Sequence, residues 1–270
     1  MIFRTFASAM LALMASSAVH AVVIRHDVPD ARYRVPPEAF PTLVDLPGEG
    51  HGVLIGPAWV VTAGHAIQWQ LPLREVFIGC TSRKVAQVVF HPGYHPLTAA
   101  LQKDGPAAVM AFIERTDDIA LVRLAEPVRD IAPTPLYRAT DEAGRIVQIA
   151  GKGATGNGLT GETRGTPRRG ELRHAFNRIT AAHDRWLIYR MDLDGDALPL
   201  EGALGHGDSG SPVFIQQGGT WMLAGIANHT LYEAGPTMGA AGKYGDMEYQ
   251  IRVSYFAGWI DRVTGNEGGD

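Results

Sequence analysis

Apolar residues along this chain come in short runs separated by turns rich in glycine, proline and aspartate, a pattern that predicts strands rather than long helices. Such runs lie at residues 52–55, 59–63, 76–79, 85–90, 118–124, 146–150, 186–191, 213–216, 221–227 and 248–253. Two stretches depart from it. Residues 97–115 are alanine-rich and predict a short helix, in a loop that is either a surface insertion, the simpler reading, or an overhang on the cleft. Near the end, Phe256, Trp259, Ile260 and Val263 recur at offsets of three and four and predict an amphipathic helix over residues 254–263. Residues 22–50 carry charges and prolines and predict an extended arm. Pro127, Pro133 and Pro135 mark a linker over residues 125–141, which divides the chain into 22–132 and 133–270.

The first 21 residues have the organisation of an export signal: Arg4, an apolar stretch over residues 5–19, and Val19-His20-Ala21 as a small-residue cleavage site before Val22. The stretch is short for a membrane span, which needs about 20 apolar residues. Cleavage would therefore leave no membrane association. A chain with 46% hydrophobic residues can bury one large core or two small ones. A net charge of −4 gives no electrostatic footprint for nucleic acid. The single cysteine, Cys80, excludes an intramolecular disulfide and is expected as a small buried hydrophobe.

Candidate chemistry centres on Gly205-His206-Gly207-Asp208-Ser209-Gly210-Ser211-Pro212. A serine between glycines suits a nucleophile whose surrounding backbone must come close to substrate. A serine hydroxyl needs a base, and the base an orienting carboxylate. Thr62-Ala63-Gly64-His65 ends an apolar run and presents His65; Asp117-Asp118-Ile119-Ala120-Leu121 opens another with two carboxylates. Asp192, Asp194 and Asp196 read as an acidic surface loop, and His91 and His95 lack a ligand-rich partner, so no metal site is expected.

In order and flanks, His65, Asp118 and Ser209 resemble the chymotrypsin/trypsin-like serine peptidases, over about residues 50–263, with Asp118 preferred to Asp117 because it directly precedes Ile119-Ala120-Leu121. The resemblance implies an all-β protein: two antiparallel six-stranded β-barrels and a C-terminal helix, the first barrel carrying His65 and Asp118 and the second Ser209. It implies a secreted endopeptidase that needs no cofactor, acts on polypeptide substrates as a monomer, and forms an acyl-enzyme. The lack of disulfides points to a bacterial-type member, secreted or periplasmic. The backbone N–H groups of Gly207 and Ser209 would form the oxyanion hole. Around the substrate pocket the resemblance places Ala203 at the base, with Leu204, His206, Asn228, His229 and Thr230. Ala203 and Leu204 imply a neutral pocket for an apolar side chain; His206 and His229 leave an acidic side chain as the alternative. Asp208 would pair with an amino group freed at Val22, or with Arg25. A catalytically silent or latent binding protein on the same scaffold is the competing class.

Overall fold

The computed structural model describes residues 22–163, 170–232 and 240–265, so the expected leader lies outside the described residues. The chain enters as β1 (Val22–Ile24). A first closed barrel follows, built from β2 (Leu43–Asp45), β3 (His51–Gly56), β4 (Trp59–Ala63), β5 (Glu75–Ile78), β6 (Thr81–Phe90) and β7 (Ile119–Leu124) in the order β2-β3-β4-β7-β6-β5. Between β4 and β5 lies α1 (Gly64–Gln68); between β6 and β7 lie α2 (Ala99–Lys103) and α3 (Pro106–Ile113). A second closed barrel contains β8 (Ile146–Gly151), β11 (Arg173–His183), β12 (Trp186–Arg190), β14 (Pro212–Gln217), β15 (Thr220–Leu231) and β16 (Met247–Arg252). The short strands β9 (Thr155–Asn157), β10 (Gly161–Glu162) and β13 (Gly202–Ala203) join β1 in a separate four-stranded sheet, and α4 (Val253–Gly265) ends the described chain.

The apolar runs become strands because each can bury its side chains in a barrel and pair its whole backbone, leaving no open edge. All five residues of β4 are buried, and β7 exposes only Arg123. The longest unforeseen strand is β11. Its inward positions alternate Arg173, Ala175, Asn177 and Ile179, so polar residues occupy half of the buried face. Arg173 is fully buried with Asp30 at 2.7 Å, and Asn177 donates to the Gly202 carbonyl.

One expectation is corrected. Cys80 is exposed, because Ile78 pairs with Thr81 and leaves Gly79 and Cys80 as the tip of a two-residue hairpin. Of the two readings of the insertion, the overhang on the cleft is the one seen: Gly105 (φ +94°) turns the chain sharply and Pro106 starts α3, whose Val109, Met110 and Ile113 line the cleft beside His65. Each chain end packs across the division at residues 132 and 133. Val23 pairs with Ala203 and Gly156, and Tyr33 donates to the Glu201 carbonyl, so the N-terminal arm lies on the second half. Conversely, Phe256 and Trp259 of α4 pack edge-on against His91 of the first half.

Candidate active site

The register of β4 against β7 creates the first part of the site. Ala63 lies opposite Ile119, so the residues that follow β4 meet the residue that precedes β7. Gly64 N donates to the Asp118 carbonyl and His65 N to Asp118 Oδ1, at 3.1 and 2.7 Å. Position 64 has to be glycine because a Cβ there would stand 2.8 Å from the Tyr94 ring and 3.0 Å from Asp118 Oδ1. His65 Nδ1 then lies 2.6 Å from Asp118 Oδ2, and Asn228 Nδ2 donates to the same oxygen at 2.8 Å. Asp117 turns away, toward His91 and Arg185.

Ser209 arrives from the second barrel on the loop before β14. Its Oγ is 2.8 Å from His65 Nε2. Its carbonyl accepts from His51 N of β3 at 2.8 Å, a backbone link from one barrel to the other. Gly210 N donates to Ala227 O, and Gly210 has φ +83°; a Cβ there would lie 2.0 Å from the His51 carbonyl oxygen. Gly207, at φ +89°, lets the loop double back. Among the described residues, neither Gly207 N nor Ser209 N donates to a protein acceptor.

Asp208 is wholly buried behind this loop. Its oxygens accept from Gly153 N at 2.7 Å and Gly205 N at 3.0 Å, and His51 Nε2 stands 3.6 Å away. Gly151 and Gly153 are required here, since a Cβ on either would enter the Asp208 carboxylate. His51 continues to Asp45 at 3.1 Å, which also accepts from Lys152 Nζ at 2.7 Å. Burial disfavours the His51 cation, but hydrogen bonds and charge from Asp208 and Asp45 outweigh it and raise its pKa. Arg25, the expected side-chain partner of Asp208, goes instead to Asp27 and the Leu198 carbonyl.

A cavity of about 360 Å³ opens beside Ser209 and His65, walled by Leu204, Thr230 and Gln250 with Glu248 inside. Ala203 is not part of its lining: the residue is fully buried in the small sheet, paired with Val23. The two histidines expected to recognise an acid are otherwise engaged. His206 pairs with Glu162 at the rim. His229 stacks on Tyr249 and hydrogen-bonds Asn228, and burial lowers its pKa to about 4, so it is neutral near pH 7. Glu248 was missed in the sequence; burial pushes its carboxyl well above the usual carboxylate range. Another cavity, of about 430 Å³, is bordered by Phe40, Pro133, His174 and Phe214, and its two threonine hydroxyls, Thr42 and Thr134, are hydrogen-bonded to each other at 2.7 Å.

For His65, burial works against the cation, but the Asp118 carboxylate outweighs it and raises the pKa. Two closed six-stranded barrels with a C-terminal helix define the chymotrypsin-like fold, and Ser209, His65 and Asp118 are hydrogen-bonded in series between them. The chain belongs to the trypsin family, whose pattern matches residues 31–260. It is 27% identical to mouse tryptase over 236 residues, covering 77% of this chain and 76% of that one. Identity to human azurocidin is 26% over 252 residues, covering 86% and 85%. Among solved structures, the mouse serine protease neuropsin overlays with a TM-score of 0.64 at 18% identity, covering 86% of this chain and 98% of that one. A mutant of human heparin binding protein gives 0.64 at 21% identity, covering 88% and 97%. These relatives are mammalian and lend no support to a bacterial-type assignment.

Proposed function

We propose that this chain is an exported serine endopeptidase in which Ser209 is the nucleophile, His65 the general base and then acid, and Asp118 the group that orients the imidazole. The observation that carries the reading is the unbroken series Ser209 Oγ, His65 Nε2, His65 Nδ1, Asp118 Oδ2, with steps of 2.8 and 2.6 Å. In this reading Asp118 accepts from His65 Nδ1–H and leaves Nε2 free to take the Ser209 proton. Oγ adds to the scissile carbonyl, and the oxyanion receives the N–H groups of Gly207 and Ser209. Collapse with proton return from His65 releases the amine and leaves an acyl-enzyme, which water hydrolyses by the same steps. One such oxyanion donor is worth about 3 kcal/mol of barrier. Export rests on the pattern of residues 1–21. Among the described residues, no helix is long and apolar enough to cross a membrane.

The test is the intact mass of the secreted protein before and after a small fluorophosphonate, with Ser209→Ala beside it. One adduct on the wild type, absent in Ser209→Ala, is expected, and the unlabelled mass also gives the true N-terminus. A folded wild type that takes no adduct would overturn the endopeptidase reading in favour of a silent or latent binding protein.

A further inference from the structure

The backbone that carries the Gly207 N–H is a turn that does not fix its own shape. Asp208 N donates to the Gly205 carbonyl at 3.0 Å, and Gly207, at φ +89°, holds the third position of that turn, which makes it type II. Rotating the central peptide, between His206 and Gly207, converts type II into type I, and glycine at the third position accepts either. In a planar trans peptide the C=O and N–H point in opposite directions. The His206 carbonyl accepts from Ala154 N at 2.6 Å, so the Gly207 N–H is directed away from Ala154. Gly207 itself lines the cavity beside Ser209. Reversing the peptide would withdraw its N–H from an oxyanion formed there.

Glu162, 44 residues earlier in the chain, grips the turn from outside. Its Oε2 accepts from His206 N at 3.0 Å, and its Oε1 stands 2.5 Å from His206 Nδ1. Burial opposes the carboxylate, but the hydrogen bonds from His206 outweigh it and lower its pKa. The root of the side chain is fixed as well. Glu162 N donates to the Ala241 carbonyl at 2.8 Å, and Glu162 pairs with Gly156 of β9, which pairs in turn with β1. With its N–H and ring held by Glu162 and its carbonyl by Ala154, His206 is fixed on both sides of its Cα. We propose that Glu162 is a positioning residue of the oxyanion hole, acting through His206 to keep the 206–207 peptide in the orientation that presents the Gly207 N–H. The inference rests on the endopeptidase reading of Ser209 and deepens it. Glu162 does not line the cavity, so it acts without touching what is bound there.

The experiment measures the rate of labelling by a small fluorophosphonate, whose phosphoryl oxygen takes the place of the oxyanion, in the wild type, Glu162→Ala, Glu162→Gln and Glu162→Asp. Glu162→Ala is expected to slow labelling at least about tenfold, part of the roughly 100- to 1000-fold that loss of a whole donor costs. Glu162→Gln keeps the reach and an acceptor for His206 N–H but loses the charge; Glu162→Asp keeps the charge and loses the reach. Glu162→Gln should therefore label at least about threefold faster than Glu162→Asp, an order that a role for the charge alone would reverse. Amide exchange at Ala154 N, whose acceptor is the His206 carbonyl, should quicken at least about tenfold in Glu162→Ala. Labelling of Glu162→Ala at the wild-type rate, or of Glu162→Asp as fast as Glu162→Gln, would overturn the proposal and leave the nucleophile standing. Should Glu162→Ala fail to fold, the Glu162→Gln and Glu162→Asp pair decides. A wild type that takes no adduct would sink the endopeptidase reading, and exchange at Ala154 would then judge the grip by itself: faster exchange in Glu162→Ala supports it, unchanged exchange overturns it.

Discussion

At the scale of single residues, the site depends on which proton sits where. Asp118 has one oxygen for the His65 backbone and another shared by the imidazole and Asn228. Asn228→Ala removes a hydrogen bond to a charged acceptor, worth about 1.5–3 kcal/mol. It is expected to slow fluorophosphonate labelling of Ser209 by at least about tenfold, with circular dichroism unchanged. The base must be neutral to act, and Asp118 holds the His65 pKa above its ordinary 6.5. The labelling rate should thus rise with pH along a single titration whose midpoint lies above 6.5, and Asp118→Asn should move that midpoint down while lowering the plateau. A wild-type midpoint below 6.5 would contradict this account of Asp118.

At the scale of elements, the strands that were legible in the sequence are those whose buried faces are apolar. Residues 59–63 form β4 as expected because all five are apolar or small. β11 was illegible because Arg173 and Asn177 occupy its inward positions, and a polar residue inside breaks the alternation from which a strand is read. The same inversion hid the pocket. On β16, Glu248 and Gln250 face inward while Met247 and Tyr249 are only partly covered, so the charged residue looked like the solvent side. His65, Asp118 and Ser209 were found because their flanks carry a family pattern. His51, at the head of β3, has no such flank, and only the pairing of two barrels shows what it touches. The turn at Gly210 has its own test. Gly210→Ala combines a positive φ with a Cβ 2.0 Å from a carbonyl oxygen, at a cost of about 3 kcal/mol or more. Its Tm should fall by roughly 10 °C, and an unchanged Tm would mean that the loop before β14 moves freely away from β3.

At the scale of the whole molecule, buried charge links the halves. Lys152 and Asp208 belong to the second, Asp45 and His51 to the first, and they meet in one network. Burial opposes the Asp45 carboxylate, but His51 and Lys152 prevail and lower its pKa from 3.8 to about 2. Its stabilising contribution is therefore present above pH 3.8 and is lost as pH falls toward 2. The folded pKa of His51 is raised above 6.5, so its contribution is complete below pH 6.5 and is lost as pH climbs through the folded value. The difference in unfolding free energy between the wild type and His51→Gln should accordingly be largest between about pH 4 and 6.5 and shrink on the alkaline side. A difference independent of pH would assign His51 a packing role alone.

The two ends of the chain are exchanged between the halves: β1 is a strand of a sheet otherwise made by the second half, and α4 covers His91 of the first. Glu142 fastens the root of α4 through Arg252 and Ser254. Each half is thus laced shut by a ribbon that the other half owns. Severing the linker between the barrels would not set two domains loose. A single nick there is expected to yield two bands under denaturing electrophoresis and one undivided particle in gel filtration, still able to bring Ser209 to His65. Neither half, made alone, would inherit the ribbon that closes it, so the smallest piece of this chain that keeps the site has to run from the first strand to the last helix.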